Sequence, residues 1–145
     1  MPEANPHVTE VLVRLSETDE FGVVWHGNYA LYFEVARTEM ARAFGLTSRE
    51  LKALGFFPPV IELAVQCRLP ARNDDVLLVA CTVDVLETAS ITVRYRVTRK
   101  ADGALIATGH TRQAVVNDKG FLMYELPEAL ASRVRALAEA HSTGK

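Results

Sequence analysis

The chain has 145 residues, with 49% hydrophobic and 23% charged residues and a formal net charge of -2. That length suits one domain able to bury a real core, and the composition is ordinary for a globular protein. The near-neutral balance gives no global reason to expect nucleic acid or an acidic membrane surface as a partner. No apolar run approaches the roughly 20 residues of a membrane span, so no membrane insertion is expected. Residues 1–6 lack the basic and apolar regions of a signal peptide and read as a flexible tail. Cys67 and Cys81 are far apart and form no Cys-x-x-Cys, which fits a reducing, cytoplasmic setting. No repeat or linker divides the chain, so residues 1–145 are read as a single domain.

The first strand signal is residues 8–16, where Thr9, Val11, Val13 and Leu15 alternate with Glu10 and Arg14. Residues 28–44 hold no Gly or Pro. Tyr29, Phe33, Ala36, Met40 and Phe44 recur there at helical spacing, and Leu31, Tyr32 and Val35 widen the stripe. A helix this apolar is expected to be buried on most sides, with Asn28 as N-cap and Gly45 just past its end. Four further strands follow, at 60–69, 76–86, 90–100 and 104–116. The first of these carries Ile61, Leu63, Val65, Cys67 and Leu69 on one face. Both cysteines lie in apolar rows and read as inert core residues. Asp102-Gly103 marks a hairpin turn. Pro127 opens an amphipathic C-terminal helix, 127–141, with Leu130, Val134 and Leu137 on its apolar face, and residues 141–145 are expected to fray. This order predicts an α+β domain with an antiparallel sheet packed on the long helix.

The segment between the first strand and the long helix, Ser16-Glu17-Thr18-Asp19-Glu20-Phe21-Gly22-Val23-Val24-Trp25-His26-Gly27, concentrates the chemistry. A helix start leaves backbone N–H groups unpaired, and these donors can stabilise an oxyanion. A neighbouring carboxylate can attack a carbonyl or activate water. Loops of this composition also serve only to cap and turn, and Glu17 and Glu20 are read as solvated loop charges. The four histidines show no metal-ligand spacing, so no metal site is expected.

The run Thr18-Asp19-x-x-Gly22-Val23-Val24-x-His26-x-Asn28-Tyr29, followed by Tyr32-Phe33-Glu34-x-Ala36-Arg37-Thr38-Glu39-Met40, resembles the 4-hydroxybenzoyl-CoA thioesterase family. Within it the chain is most similar to the bacterial acyl-CoA thioesterases associated with the Tol-Pal operon. Leu69-Pro70-Ala71-Arg72-x-Asp74-Asp75 and Ala107-Thr108-Gly109 extend the likeness. The resemblance implies a hotdog fold, a five-stranded antiparallel sheet wrapped around a long central helix, here with a C-terminal helix added. It implies an acyl-CoA substrate, with coenzyme A part of that substrate and no separate cofactor, and a homodimer assembling into a homotetramer with sites at the dimer interface. Asp19 becomes the catalytic carboxylate, as nucleophile or general base. The His26 backbone N–H polarises the thioester carbonyl, and its imidazole is a candidate proton shuttle. Gly22 and Tyr29 are placed at the substrate, and Arg72 and Lys100 are the favoured contacts to coenzyme A phosphates. Arg68, Arg96, Arg99 and Arg112 remain open for that role, and Glu62 for that of a second carboxylate. Gly27, Ala30 and Trp25 depart from the family pattern, and the two small residues are expected to leave more room for the acyl group. An acyl-ACP thioesterase and a non-catalytic acyl-CoA-binding protein are the alternative readings.

Overall fold

The computed structural model describes residues 6–85 and 89–141. Most of the expected tail, residues 1–5, lies outside the described residues, as do Leu86 and residues 142–145. β1 (His7–Leu12) leads through a single 3₁₀ turn (Leu15–Glu17) and a loop to α1 (Asn28–Ala43). Next come α2 (Ser48–Leu54), β2 (Phe56–Phe57), β3 (Val60–Cys67), β4 (Val76–Val85), β5 (Ser90–Arg99), β6 (Leu105–Ala114), β7 (Val116–Asn117) and α3 (Glu128–His141). The main sheet is antiparallel, in the order β1-β4-β5-β6-β3, and β2 pairs with β7 in a separate ribbon. No helix of the described residues is long and apolar enough to cross a membrane.

Alternation decides which sheet face is dry. Leu77, Val79 and Cys81 on β4 and Val93, Tyr95 and Val97 on β5 are buried, and they pack with Tyr29, Tyr32, Phe33, Ala36 and Met40 of α1. Phe33 stacks on Tyr95 with ring centroids 4.1 Å apart. Beneath that stack lies Gly109, which pairs with Tyr95 on one side and Val65 on the other. A Cβ at Gly109 would run into Ala64 O and come within 2.6 Å of Phe33 Cε2, so the helix seats on the sheet only because position 109 has no side chain. This is the hotdog arrangement: one long helix held against one face of a five-stranded antiparallel sheet.

Three expectations need correction. The helix is buried along one stripe only, for Leu31 and Val35 remain 53% and 47% exposed. Likewise the apolar row expected over 60–69 is open: Ile61 and Leu63 are exposed on β3, the sheet's edge strand, and Leu69 is exposed just past its end. Cys67 is exposed for the same reason, whereas Cys81 is buried, its thiol pushed up to about 12 by desolvation. Third, the C-terminal helix does not fray at His141. β1 stops pairing with β4 at His7–Cys81, and the next outward β4 donor, Val83 N–H, is taken by the buried His141 Nδ1 at 3.2 Å.

That contact makes α3 docking depend on pH. Burial, then the charge of His7, holds the His141 imidazole below its ordinary 6.5. Below that value the unfolded chain binds a proton that the folded chain resists, so this stabilisation is full above about 6.5 and declines as pH falls through the window beneath it. His141→Asn keeps an acceptor near the Nδ1 position for Val83 and removes the titration. Chemical denaturation across mildly acidic pH should show a shallower loss of stability in this variant; equal slopes would contradict the assignment.

Candidate functional site

The loop between the 3₁₀ turn and α1 is built around Asp19. Its backbone N–H donates to Val23 O at 2.8 Å, and its carboxylate Oδ1 accepts from Phe21 N–H at 2.8 Å and, at the limit of a hydrogen bond, from Val23 N–H at 3.5 Å. Gly22 closes the turn with φ +75°, a conformation that disfavours a side chain, and its N–H donates to Asp19 O at 3.0 Å. The second carboxylate oxygen, Oδ2, forms no hydrogen bond to another described residue, and Asp19 is only partly buried.

The Pro70–Arg72 turn holds this loop in place. Val24 N–H donates to Ala71 O at 2.8 Å, and Val23 bridges to Arg72. Arg99, half-buried under the same turn, donates to Pro70 O at 3.0 Å and faces Asp75 at 3.6 Å. Arg99 is therefore occupied as a brace. The Arg72 guanidinium is exposed and passes within 4.0 Å of where a Gly22 side chain would begin.

Glu17 fixes the start of α1. Its Oε1 accepts from the Tyr32 hydroxyl at 3.0 Å and from Arg14 N–H at 2.9 Å, and its carbonyl accepts from Asn28 Nδ2 at 2.8 Å and Trp25 N–H at 2.9 Å. Glu17 is thus a structural anchor, not the solvated charge expected. Asn28 is the first helical residue instead of the cap, and Gly27 precedes it. The backbone N–H groups of His26 and Gly27 donate to no other described residue, so two donors stand open at the helix start. The His26 ring is exposed and leans against Trp25 at 5.0 Å between centroids. Tyr29 is buried beneath, its phenol pushed up to about 12 by desolvation, which suits a wall and not an acid.

Asp19, Gly22, the His26 N–H and Arg72 are thus brought to one end of the molecule. Lys100 is not: its ammonium lies 2.5 Å from Glu10 Oε1, and Glu10 points to the sheet face away from α1. Glu62 is also elsewhere, 2.7 Å from His110 Nε2, whose hydrogen bond holds its carboxyl below the usual range.

The room expected at Gly27 is filled. A Cβ there would overlap the Trp25 indole, so the glycine and the tryptophan are one packing unit. The indole is half-exposed and can swing away. Gly27→Ser should therefore cost no more than about 1 kcal/mol while turning the indole toward water. Trp25 is the chain's single tryptophan, so its emission reports the change directly. A red shift is expected, and an unchanged spectrum would contradict the packing.

A cavity of about 670 Å³ opens near the other half of α1. Its walls include Met40, Leu51, Val93, Val115, Leu130 and Val134, drawn from α1, α2, the sheet and α3. Sequence reasoning passed over this cavity because it needs α2, an element that reading left out.

Comparison with known proteins bears on the chemistry. The family model described as "Thioesterase-like superfamily" matches residues 13–134. The acyl-CoA thioester hydrolase YbgC of Escherichia coli is 26% identical over 125 residues, covering 86% of this chain and 92% of that protein. A Thermus thermophilus protein of known structure is 36% identical with a TM-score of 0.82, covering 90% of this chain and 98% of the other. The DHNA-CoA thioesterase of Staphylococcus aureus is 27% identical with a TM-score of 0.79, covering 92% and 93%. With a family match running from just after β1 to the middle of α3, the chain belongs to the thioesterase-like superfamily and is a thioester hydrolase.

Proposed function

We propose that the protein hydrolyses acyl-CoA thioesters, with Asp19 as the catalytic carboxylate and the open N–H groups at the start of α1 as the oxyanion site. The observation that carries this reading is the pairing of a carboxylate oxygen with two helix-start donors on one short loop, none of which has a hydrogen-bond partner among the described residues. The donors favour the oxygen that becomes negative as the thioester carbonyl turns tetrahedral. Asp19 either attacks the carbonyl carbon, giving a mixed anhydride that water opens, or takes a proton from the water that attacks. Coenzyme A leaves as thiolate, so neither a strong general acid nor a cofactor is required. The His26 side chain can carry the proton released, and Arg72, exposed and without an ion-pair partner among the described residues, suits a coenzyme A phosphate. The setting proposed is the cytoplasm.

The site is completed by a second copy. β3 is an apolar edge strand, and Leu31 and Val35 of α1 add further exposed apolar surface. Such an edge is stable in water when covered, and two copies cover it symmetrically by pairing β3 with β3 antiparallel. That pairing sets the start of one β3 beside the end of the other. Val60, at the start, lines the cavity; Cys67, at the end, leads into the Ala71–Arg72 turn that holds the Asp19 loop. The Asp19 of one copy thereby serves the acyl cavity of the other, and the dimers pair further into tetramers.

A panel of aliphatic and aromatic acyl-CoAs, with one acyl chain also offered on acyl carrier protein, tests the reaction through release of free thiol. Hydrolysis of at least one acyl-CoA in preference to its carrier-protein counterpart is expected. A preference for the carrier protein would favour the alternative thioesterase, and binding without hydrolysis of any thioester would make the protein a non-catalytic binder.

A further inference from the structure

Arg37 lines the cavity from α1 and is half-buried. One of its N–H groups, on Nη1, donates to the Tyr95 hydroxyl at 3.3 Å. That hydroxyl already shares a 2.8 Å hydrogen bond with Thr111 Oγ1, so the partner is a buried neutral pair and not a counter-ion. The ion pairs among the described residues engage Arg42, Arg94, Arg99, Arg112, Arg133 and Arg135, and Arg37 is in none of them. A guanidinium stays charged at any pH a folded protein meets and carries five donors in a fork. Three charged residues line the cavity, Arg37 and Lys52 against Glu34, and of these Glu34 and Lys52 are exposed. The remaining wall is largely apolar. Inside it stands a fixed positive charge with most of its donors open among the described residues, where partial loss of water strengthens the hold on any anion that reaches it.

We propose that the cavity selects acyl groups that carry a second, free carboxylate, and that Arg37 binds this carboxylate, so that the preferred substrates are mono-CoA thioesters of dicarboxylic acids. The proposal rests on the cavity being the acyl site of the thioesterase described above. An apolar methylene chain fits the Met40, Leu51, Val115 and Val134 walls, and the planar fork matches a carboxylate with two hydrogen bonds. Arg37 is here a specificity residue; it takes no part in breaking the thioester.

The test compares octanoyl-CoA with the mono-CoA thioester of octanedioic acid, which differs by its terminal carboxylate. Wild type, Arg37→Met and Arg37→Lys are assayed for thiol release. Binding of both ligands is measured by calorimetry in a background where Asp19→Asn prevents turnover. Wild type should favour the dicarboxylic thioester by about tenfold or more in kcat/KM and in Kd, the effect of a charged hydrogen bond. Arg37→Met should abolish or reverse that ratio chiefly through KM, and Arg37→Lys should keep part of it. A wild-type preference for octanoyl-CoA, or a ratio unchanged in Arg37→Met, overturns the proposal. So does a change of oligomeric state with the ratio intact, which would show Arg37 pairing with a second copy. If neither thioester is hydrolysed, the reaction assignment fails on its own, and the calorimetric ratio still decides the role of Arg37.

Discussion

Asp19→Asn should lower kcat on the best acyl-CoA by about 10²–10⁴-fold, the contribution of a positioned acid–base or nucleophilic carboxylate. The substitution is clean for a structural reason. The turn uses Oδ1 as acceptor for Phe21 N–H, and an asparagine keeps that oxygen. What it loses is the negative charge and the free Oδ2. Stability should therefore change by under about 1 kcal/mol, the range of substitutions that leave packing and hydrogen bonds in place. Asp19→Ala removes the turn acceptor as well and should cost stability in addition to activity. An Asp19→Asn variant that folds and keeps full activity would remove Asp19 from the mechanism. Single turnover in ¹⁸O-water and rapid quench together separate the two routes. Label in the Asp19 carboxylate, or an acyl group trapped covalently on Asp19, marks direct attack, whereas label only in the released acid with no trapped acyl-enzyme marks activation of water.

Gly109→Ala should be the most damaging small substitution in the sheet, at about 3 kcal/mol, the upper end of overpacking costs. The added methyl meets a backbone carbonyl, Ala64 O, which no rotamer change can move, and the Phe33 ring, which is held flat against Tyr95. Relief requires lifting α1 off the sheet, and that would also shift the helix start where the site is assembled. Denaturant unfolding measures the loss. A double-mutant cycle identifies its cause: Phe33→Leu should partly relieve Gly109→Ala, so the two costs together are less than their sum. Strict additivity would mean the Phe33 contact is not the source.

Much of this was legible from residue order. The stripe Tyr29, Phe33, Ala36, Met40 gives the helix and its dry face, and period-two alternation in β4 and β5 gives the sheet, because both patterns report on burial within one chain. The same logic failed on β3 and on Leu31 and Val35. Their apolar rows are just as regular, but periodicity says that a face is buried without saying whether the same copy buries it. α2 was missed although its signals were present: Thr47 and Glu50 form a reciprocal capping box, with Thr47 Oγ1 accepting from Glu50 N–H at 3.2 Å, and Gly55 ends the helix in a left-handed conformation. A seven-residue helix offers too short a stripe for periodicity to find. At the site, the family motif singled out Asp19, but nothing local marked Glu17 as an anchor, since its partners Tyr32 and Asn28 lie 15 and 11 residues away. Ala107-Thr108-Gly109 was recognisable as a motif, and only the Phe33–Tyr95 stack supplies the reason for its glycine.

The most direct test of a site built across two copies is to mix two inactive variants. Asp19→Asn lacks the carboxylate and keeps its cavity; Thr38→Trp keeps Asp19 and blocks the cavity that Thr38 lines. Unfolded together and refolded, they should recover about a quarter of wild-type thioester hydrolysis, because half of the dimers are mixed and each mixed dimer holds one intact site. Recovery indistinguishable from zero, in a mixture shown to contain mixed dimers, would place Asp19 and the cavity it serves within a single copy and contradict the account.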